Sequence, residues 1–100
     1  MKKTIFIVAA LMAGMAHAGG NAEAGKAKYT TCAGCHGATG AGLAAAGYPA
    51  LSGKSAEYIA EQLHAFKTGK RQNATMSAMA ATLASDQDVA DVAAYIATFK

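Results

Sequence analysis

The sequence predicts an all-α fold, and three observations carry the prediction. Apolar residues recur at helical spacing in two long segments, at Ile59, Leu63 and Phe66 and again at Val89, Val92, Ala93 and Ile96. Asn21, Ser55 and Ser85 stand where helices should begin, and Gly69 stands where one should end. Nowhere do polar and apolar residues alternate over the length of a strand. The 100 residues hold one domain, without internal repeat or low-complexity tract.

Before that domain comes an export signal. Met1-Lys2-Lys3 is positive, Thr4 to Met15 is apolar apart from Thr4 and Gly14, and Ala16-His17-Ala18 has the small-x-small pattern of a cleavage site. The apolar run is shorter than the ~20 residues that span a bilayer. The expectation is a signal peptide over 1–18, cleavage after Ala18, and a mature domain over 19–100. The formal charge of +3 then falls to +1, with seven Lys and Arg against six Asp and Glu. A balance so close to zero gives no ground for nucleic-acid binding. Export places the product in the periplasm, and its two cysteines in an oxidising compartment.

Taken in order, Asn21 caps a helix expected over Ala22 to Thr31, with Glu23 in its positive first turn. Gly25 and Tyr29 share a face there, and Gly25 leaves room for a second helix to approach. The helix delivers Cys32-Ala33-Gly34-Cys35-His36. Two thiols three apart, followed at once by an imidazole, are the pattern of covalent haem attachment. Cys32 and Cys35 add across the two vinyl groups of one porphyrin edge, and His36 is held beneath the iron. A dithiol redox pair would expect a βαβ setting, which is missing from the pattern. Structural zinc wants four protein ligands, and Cys32, Cys35, His36 and a distant His64 are all that the exported part offers.

Gly37 to Lys54 reads as a loop, with one helical turn at most over Ala44 to Ala46. So long a loop in a small domain points to function, and wrapping a haem edge is such a function. Ser55 caps a helix running to Thr68, on which His64 falls off the apolar stripe and faces solvent. Lys67, Lys70 and Arg71 cluster at its end, where cations complement the helix dipole; the functional alternative is that they neutralise haem propionates or steer a partner.

Thr75 to Leu83 carries Met76 and Met79. Two methionines three apart normally fill a core, but an iron held by His36 on one face needs a second ligand from a distant segment. A thioether favours ferrous iron. Met76 sits at the loop-to-helix junction and Met79 a turn further in. Ser85 with Asp88 makes a capping box, opening a last helix over Asp86 to Thr98 with Val89, Val92, Ala93, Ile96 and Phe99 on its buried face. Tyr95, beside that face, is expected to cross the first helix near Gly25.

The apolar supply is thin. Beyond Ala18 there are sixteen large apolar side chains against 22 alanines, and domains this small usually need a staple or cofactor. A haem supplies the missing interior.

These stretches together resemble the class I c-type cytochromes, the small single-haem periplasmic forms of bacteria. The resemblance runs from Cys32-Ala33-Gly34-Cys35-His36-Gly37 through Gly47-Tyr48-Pro49-Ala50-Leu51-Ser52-Gly53 to Arg71-Gln72-Asn73-Ala74-Thr75-Met76-Ser77-Ala78-Met79 and Asp88 to Tyr95. It implies three to four helices around one covalently attached haem c, with the N- and C-terminal helices crossing. It implies thioethers at Cys32 and Cys35, iron bonds from His36 and Met76, and a hydrogen bond from the His36 ring to the Pro49 carbonyl. Ala78 stands where many relatives carry proline, which leaves Met79 an alternative to Met76. The expected function is one-electron transfer without enzymatic turnover, between transient periplasmic or membrane-bound redox partners. The mature chain itself is not expected to be an integral membrane protein. Pairing of two copies, a haem enzyme or gas sensor with a labile sixth ligand, and a dithiol oxidoreductase are the other readings.

Overall fold

The computed structural model describes residues 20–100; the expected signal peptide and its cleavage point lie outside the described residues. The helices are α1 (Ala22–Lys28), α2 (Thr30–His36), α3 (Ala56–Thr68), α4 (Ala74–Ala81) and α5 (Asp86–Ile96), with a 3-10 turn at Ala44–Ala46 before α3. Among the described residues there is no strand, only an isolated antiparallel bridge between Leu43 and Tyr48. Nor is any helix among them long and apolar enough to cross a membrane. Tyr29 alone separates α1 from α2, so the two form one bent arm and the all-α expectation of three to four helices holds.

Side-chain caps set the starts. The Asn21, Ser55 and Ser85 oxygens accept from the amides of Ala24, Tyr58 and Asp88, each at 3.1 Å. Asn73, which the sequence reading passed over as a cap, accepts from Met76 N–H at 2.9 Å and opens α4.

Three expectations change. The first helix does not stop at Thr31. The Tyr29 carbonyl accepts from the amides of Cys32 and Ala33 at 2.8 and 2.9 Å, so the turn carries on and the thiol motif itself is helical as far as His36. The last α-helix ends at Ile96 rather than Thr98, because Thr98 and Phe99 donate to Tyr95 and Ile96 in a tighter closing turn, both at 3.0 Å. And Gly25 does not meet Tyr95. A Cβ on Gly25 would stand 1.9 Å from the Asp91 carbonyl oxygen, so α1 crosses α5 backbone to backbone at Asp91–Val92. Tyr95, one turn on, meets Tyr29 instead, with ring centroids 5.6 Å apart.

The crossing is pinned by Asp91, whose Oδ1 accepts from Asn21 N–H and from Gln87 Nε2, both at 2.8 Å. α5 lies at the centre, with α1 on one side and α3 on another, and α4 packs on α3. Val89 and Val92 are fully buried there, beside Ile59, Leu63 and Phe66 of α3 and Ala80 of α4. His64 carries no core role; its side chain is 43% exposed, with Nδ1 3.9 Å from Asp86.

Candidate cofactor site

His36 ends α2 and is buried, 5% exposed. Its Nδ1 lies 2.9 Å from the Pro49 carbonyl oxygen. A carbonyl only accepts, so Nδ1 is the donor in this contact, and in the neutral ring that tautomer keeps the Nε2 lone pair for a metal.

The loop after α2 is shaped to make this contact. Gly42 N–H donates to the His36 carbonyl at 2.8 Å, and Gly40 O accepts from Leu51 and Ser52 at 2.7 and 3.0 Å. Leu43 and Tyr48 exchange both backbone bonds, at 2.8 and 3.1 Å. Gly42 has φ +73, and a Cβ there would stand 2.7 Å from Pro49 O, so the chain can bring the carbonyl this close only past a glycine. The Tyr48 ring stands edge-on to the imidazole, with centroids 6.4 Å apart. Behind α2, the buried Tyr29 hydroxyl donates to Gly37 O at 2.7 Å; burial first, then Cys32 and Tyr95, push its pKa up to about 12.

A cavity of about 940 Å³ opens in front of this imidazole, at the upper end of the ~300–1,000 Å³ of cofactor sites. Cys32, Cys35, His36 and Met76 all line it, brought together from the bent arm and from α4. Met79 lines it too, so its wall does not choose between the methionines. Val92 and Ile96 of α5 and Leu63 of α3 supply apolar wall. Both cysteines are free and half-buried, and burial is the main cause that pushes the Cys32 thiol up. Among the described residues no three His, Cys, Asp or Glu side chains gather as a site for a bare metal ion, which weighs against zinc. A large, largely apolar hollow with two thiols and a metal-competent imidazole on its wall fits a porphyrin. A second hollow of about 350 Å³, between the starts of α3 and α5, holds none of these residues.

The contacts of Tyr29, and that of Gln62 with Arg71, escaped the sequence reading, although Arg71 itself was noted in the cluster after α3. Tyr29 was noted only as a helix-face residue, and no local signal marks its bond to Gly37. Gln62 and Arg71 meet at the cavity rim, Arg71 Nη1 donating to Gln62 Oε1 at 2.6 Å, across nine positions that no periodic pattern connects.

Comparison with known proteins agrees with this geometry. The family model described as Cytochrome c matches residues 22–100. The chain is 45% identical over 89 residues to a cytochrome c4 of Pseudomonas aeruginosa, covering 89% of this chain and 43% of that protein. It is 47% identical over 79 residues to cytochrome c-554(548) of Halomonas halodenitrificans, covering 76% of this chain and 93% of that one. A crystal structure of reduced recombinant cytochrome c4 from Pseudomonas stutzeri superposes with a TM-score of 0.72 at 33% identity, covering 79% of this chain and 48% of that chain. The chain thus spans a little under half the length of the cytochrome c4 relatives it matches. With a family match over nearly all the described residues, the chain belongs to the cytochrome c family, the c-type cytochromes whose haem c is covalently attached.

Proposed function

We propose that the chain is a periplasmic one-electron carrier, with haem joined through Cys32 and Cys35 and bound axially by His36 and Met76. One observation carries the reading: a single cavity gathers both thiols, an imidazole whose Nδ1 is engaged by Pro49 O, and a thioether from a distant helix. The bound haem supplies the redox chemistry, cycling between ferrous and ferric iron.

The chain's own residues do the rest. Cys32 and Cys35 sit on one helical turn and fix one porphyrin edge. Pro49 O holds the His36 ring in one tautomer and one orientation, which also raises its basicity as a ligand. Met76, on the first turn of α4 where Asn73 fixes the backbone, supplies a soft sixth ligand that favours the ferrous state. Were His36 and Met76 both to hold the iron, no position on it would stay open to small molecules, which would set the carrier apart from a haem enzyme or gas sensor. The all-helical setting leaves the dithiol reading without the βαβ frame it needs.

Export under the signal over 1–18, with cleavage after Ala18, places the mature domain over 19–100 in the periplasm. Its partners are transient redox proteins. Relatives named thiosulfate dehydrogenase electron acceptor, 47% identical over 70 residues in Thiomonas intermedia, support such a role. The deciding experiment is the absorption spectrum of wild type and of Met76→Ala. Wild type should show low-spin haem in both oxidation states, with the weak red-end band of methionine-bound ferric haem. Met76→Ala should keep its haem, lose that band and take up added imidazole. A variant that keeps the band would transfer the sixth position to Met79.

A further inference from the structure

Tyr29 is a buried titratable group that takes no part in ligating the iron. It is 3% exposed and does not line the cavity, yet its hydroxyl is spent on a loop carbonyl rather than on the helices around it. Gly37 O, one residue past His36, accepts from that hydroxyl at 2.7 Å and from Gly40 N–H at 3.1 Å. With its pKa pushed up to about 12, chiefly by burial, the hydroxyl stays protonated, and so a donor, at neutral pH. Apart from His36 itself, Tyr29 is the only side chain among the described residues to hydrogen-bond the main chain of residues 37–54.

From Gly37 the bonds lead in short steps to the oxygen that meets the imidazole. Gly40, fixed to Gly37, accepts through its own carbonyl from Leu51 and Ser52 at 2.7 and 3.0 Å. Those two residues follow Pro49 and Ala50, and Pro49 O lies 2.9 Å from His36 Nδ1. Phe99 presses on the same loop. A Cβ on Gly40 would stand 2.5 Å from its ring, and that ring meets Tyr29 edge-on with centroids 5.2 Å apart. The loop is thus pinned at Gly37 by a hydroxyl and at Gly40 by a ring, and neither Tyr29 nor Phe99 lines the cavity.

We propose that Tyr29, backed by Phe99, is a positioning residue for His36: by holding the Gly37 carbonyl it keeps Pro49 O against the imidazole Nδ1 proton, and so keeps His36 a strong donor to the iron. This rests on the axial role given to His36 above. An imidazole whose Nδ1 proton is well held is a more basic ligand, and a more basic ligand favours the ferric state. Loosening the loop therefore moves the reduction potential up.

The test compares wild-type holoprotein with Tyr29→Phe, Phe99→Leu and Tyr95→Phe. Two quantities are read: the exchange rate of the His36 Nδ1 proton by NMR of the ferrous form, and the midpoint potential. Phenylalanine at 29 keeps the ring and its packing and removes only the donor. Tyr95→Phe removes a hydroxyl from the same aromatic cluster, one that makes no bond to the loop among the described residues. Tyr29→Phe should exchange its Nδ1 proton about fivefold faster, the factor that goes with one net hydrogen bond, and its potential should rise. Phe99→Leu should show both changes in smaller measure, and Tyr95→Phe should match wild type. A purely structural role for Tyr29 would lower Tm and leave both readouts where they are; that result, or equal changes in Tyr95→Phe, overturns the proposal. Should Tyr29→Phe not retain its haem, Phe99→Leu decides: faster exchange supports the brace and unchanged exchange overturns it. A wild type without haem sinks the function proposed above, whereas a low-spin Tyr29→Phe holoprotein with both readouts unmoved sinks this inference alone.

Discussion

Asp91 shows how much one side chain can settle. It is a buried carboxylate, 6% exposed, on a helix that otherwise turns its apolar face inward. Its hydrogen bond from the Asn21 backbone, then that from Gln87, hold its pKa below the ordinary carboxylate value against the opposing effect of burial, with Lys28 adding to them. A carboxylate whose folded pKa is depressed contributes stability above its unfolded pKa of about 3.9, and that contribution drains away as pH falls through the folded value. Asp91→Asn keeps the shape but loses the charge. It should cost about 1–3 kcal/mol near neutral pH, and the gap to wild type should close in thermal melts taken at pH values below about 4. A difference that persists undiminished in acid would assign the loss to packing rather than to the charge. Nothing in the sequence marks Asp91 as buried; its Asn21 partner lies at the other end of the domain.

At the level of elements, what was legible was local. Asn21, Ser55 and Ser85 announce their helices because a cap needs only residues three apart, and all three caps form as expected. Ser55 to Gly69 reads off directly for the same reason. The thiol motif was harder, because Gly34 and the cysteines carry little helical preference, and the extension of α2 to His36 depends on Tyr29 being held by Tyr95 and Phe99. Gly25 was recognised as a contact point but given the wrong partner; periodicity names a face, not the turn of another helix that meets it. Of the site, the Cys32 to His36 spacing and the Met76 segment name residues that line one cavity, while Gln62 and Arg71 join through an exposed bond that no pattern predicts. The α1–α5 crossing makes its own prediction. Gly25→Ala places a methyl against the Asp91 main chain, which cannot move aside as a side chain would, and overpacking costs typically 1–3 kcal/mol. For a domain of this size that is a fall in Tm on the order of 4–8 °C per kcal/mol. Gly34→Ala, with nothing within 4 Å of its added Cβ, should leave Tm nearly unchanged and serves as the control.

For the whole molecule, a cavity of about 940 Å³ in so small a domain is a deficit of interior. The helices pack on one another at α1–α5, α3–α5 and α3–α4, while part of the loop over 37–54 and of α4 forms wall of the hollow. A Cys32→Ser, Cys35→Ser double variant, exported without its haem, should therefore lose a large part of its helical circular dichroism and its cooperative thermal transition. A haem-free chain that melts as sharply as the holoprotein would show that the polypeptide core suffices.

The acceptor for the His36 ring proton is a peptide oxygen, not a side chain. Replacing Pro49 leaves that oxygen in the chain, so sequence drift can weaken the bond only by rerouting the strand of atoms that carries it. That route is laced to Gly40 and Gly42, and its far end is tied to Phe99 O through Gly53 N–H at 3.4 Å. Under the ligation proposed above, tuning by point mutation of the contact itself would fall instead to the Met76 flank, where the contact is made by a side chain and a single codon change would be enough.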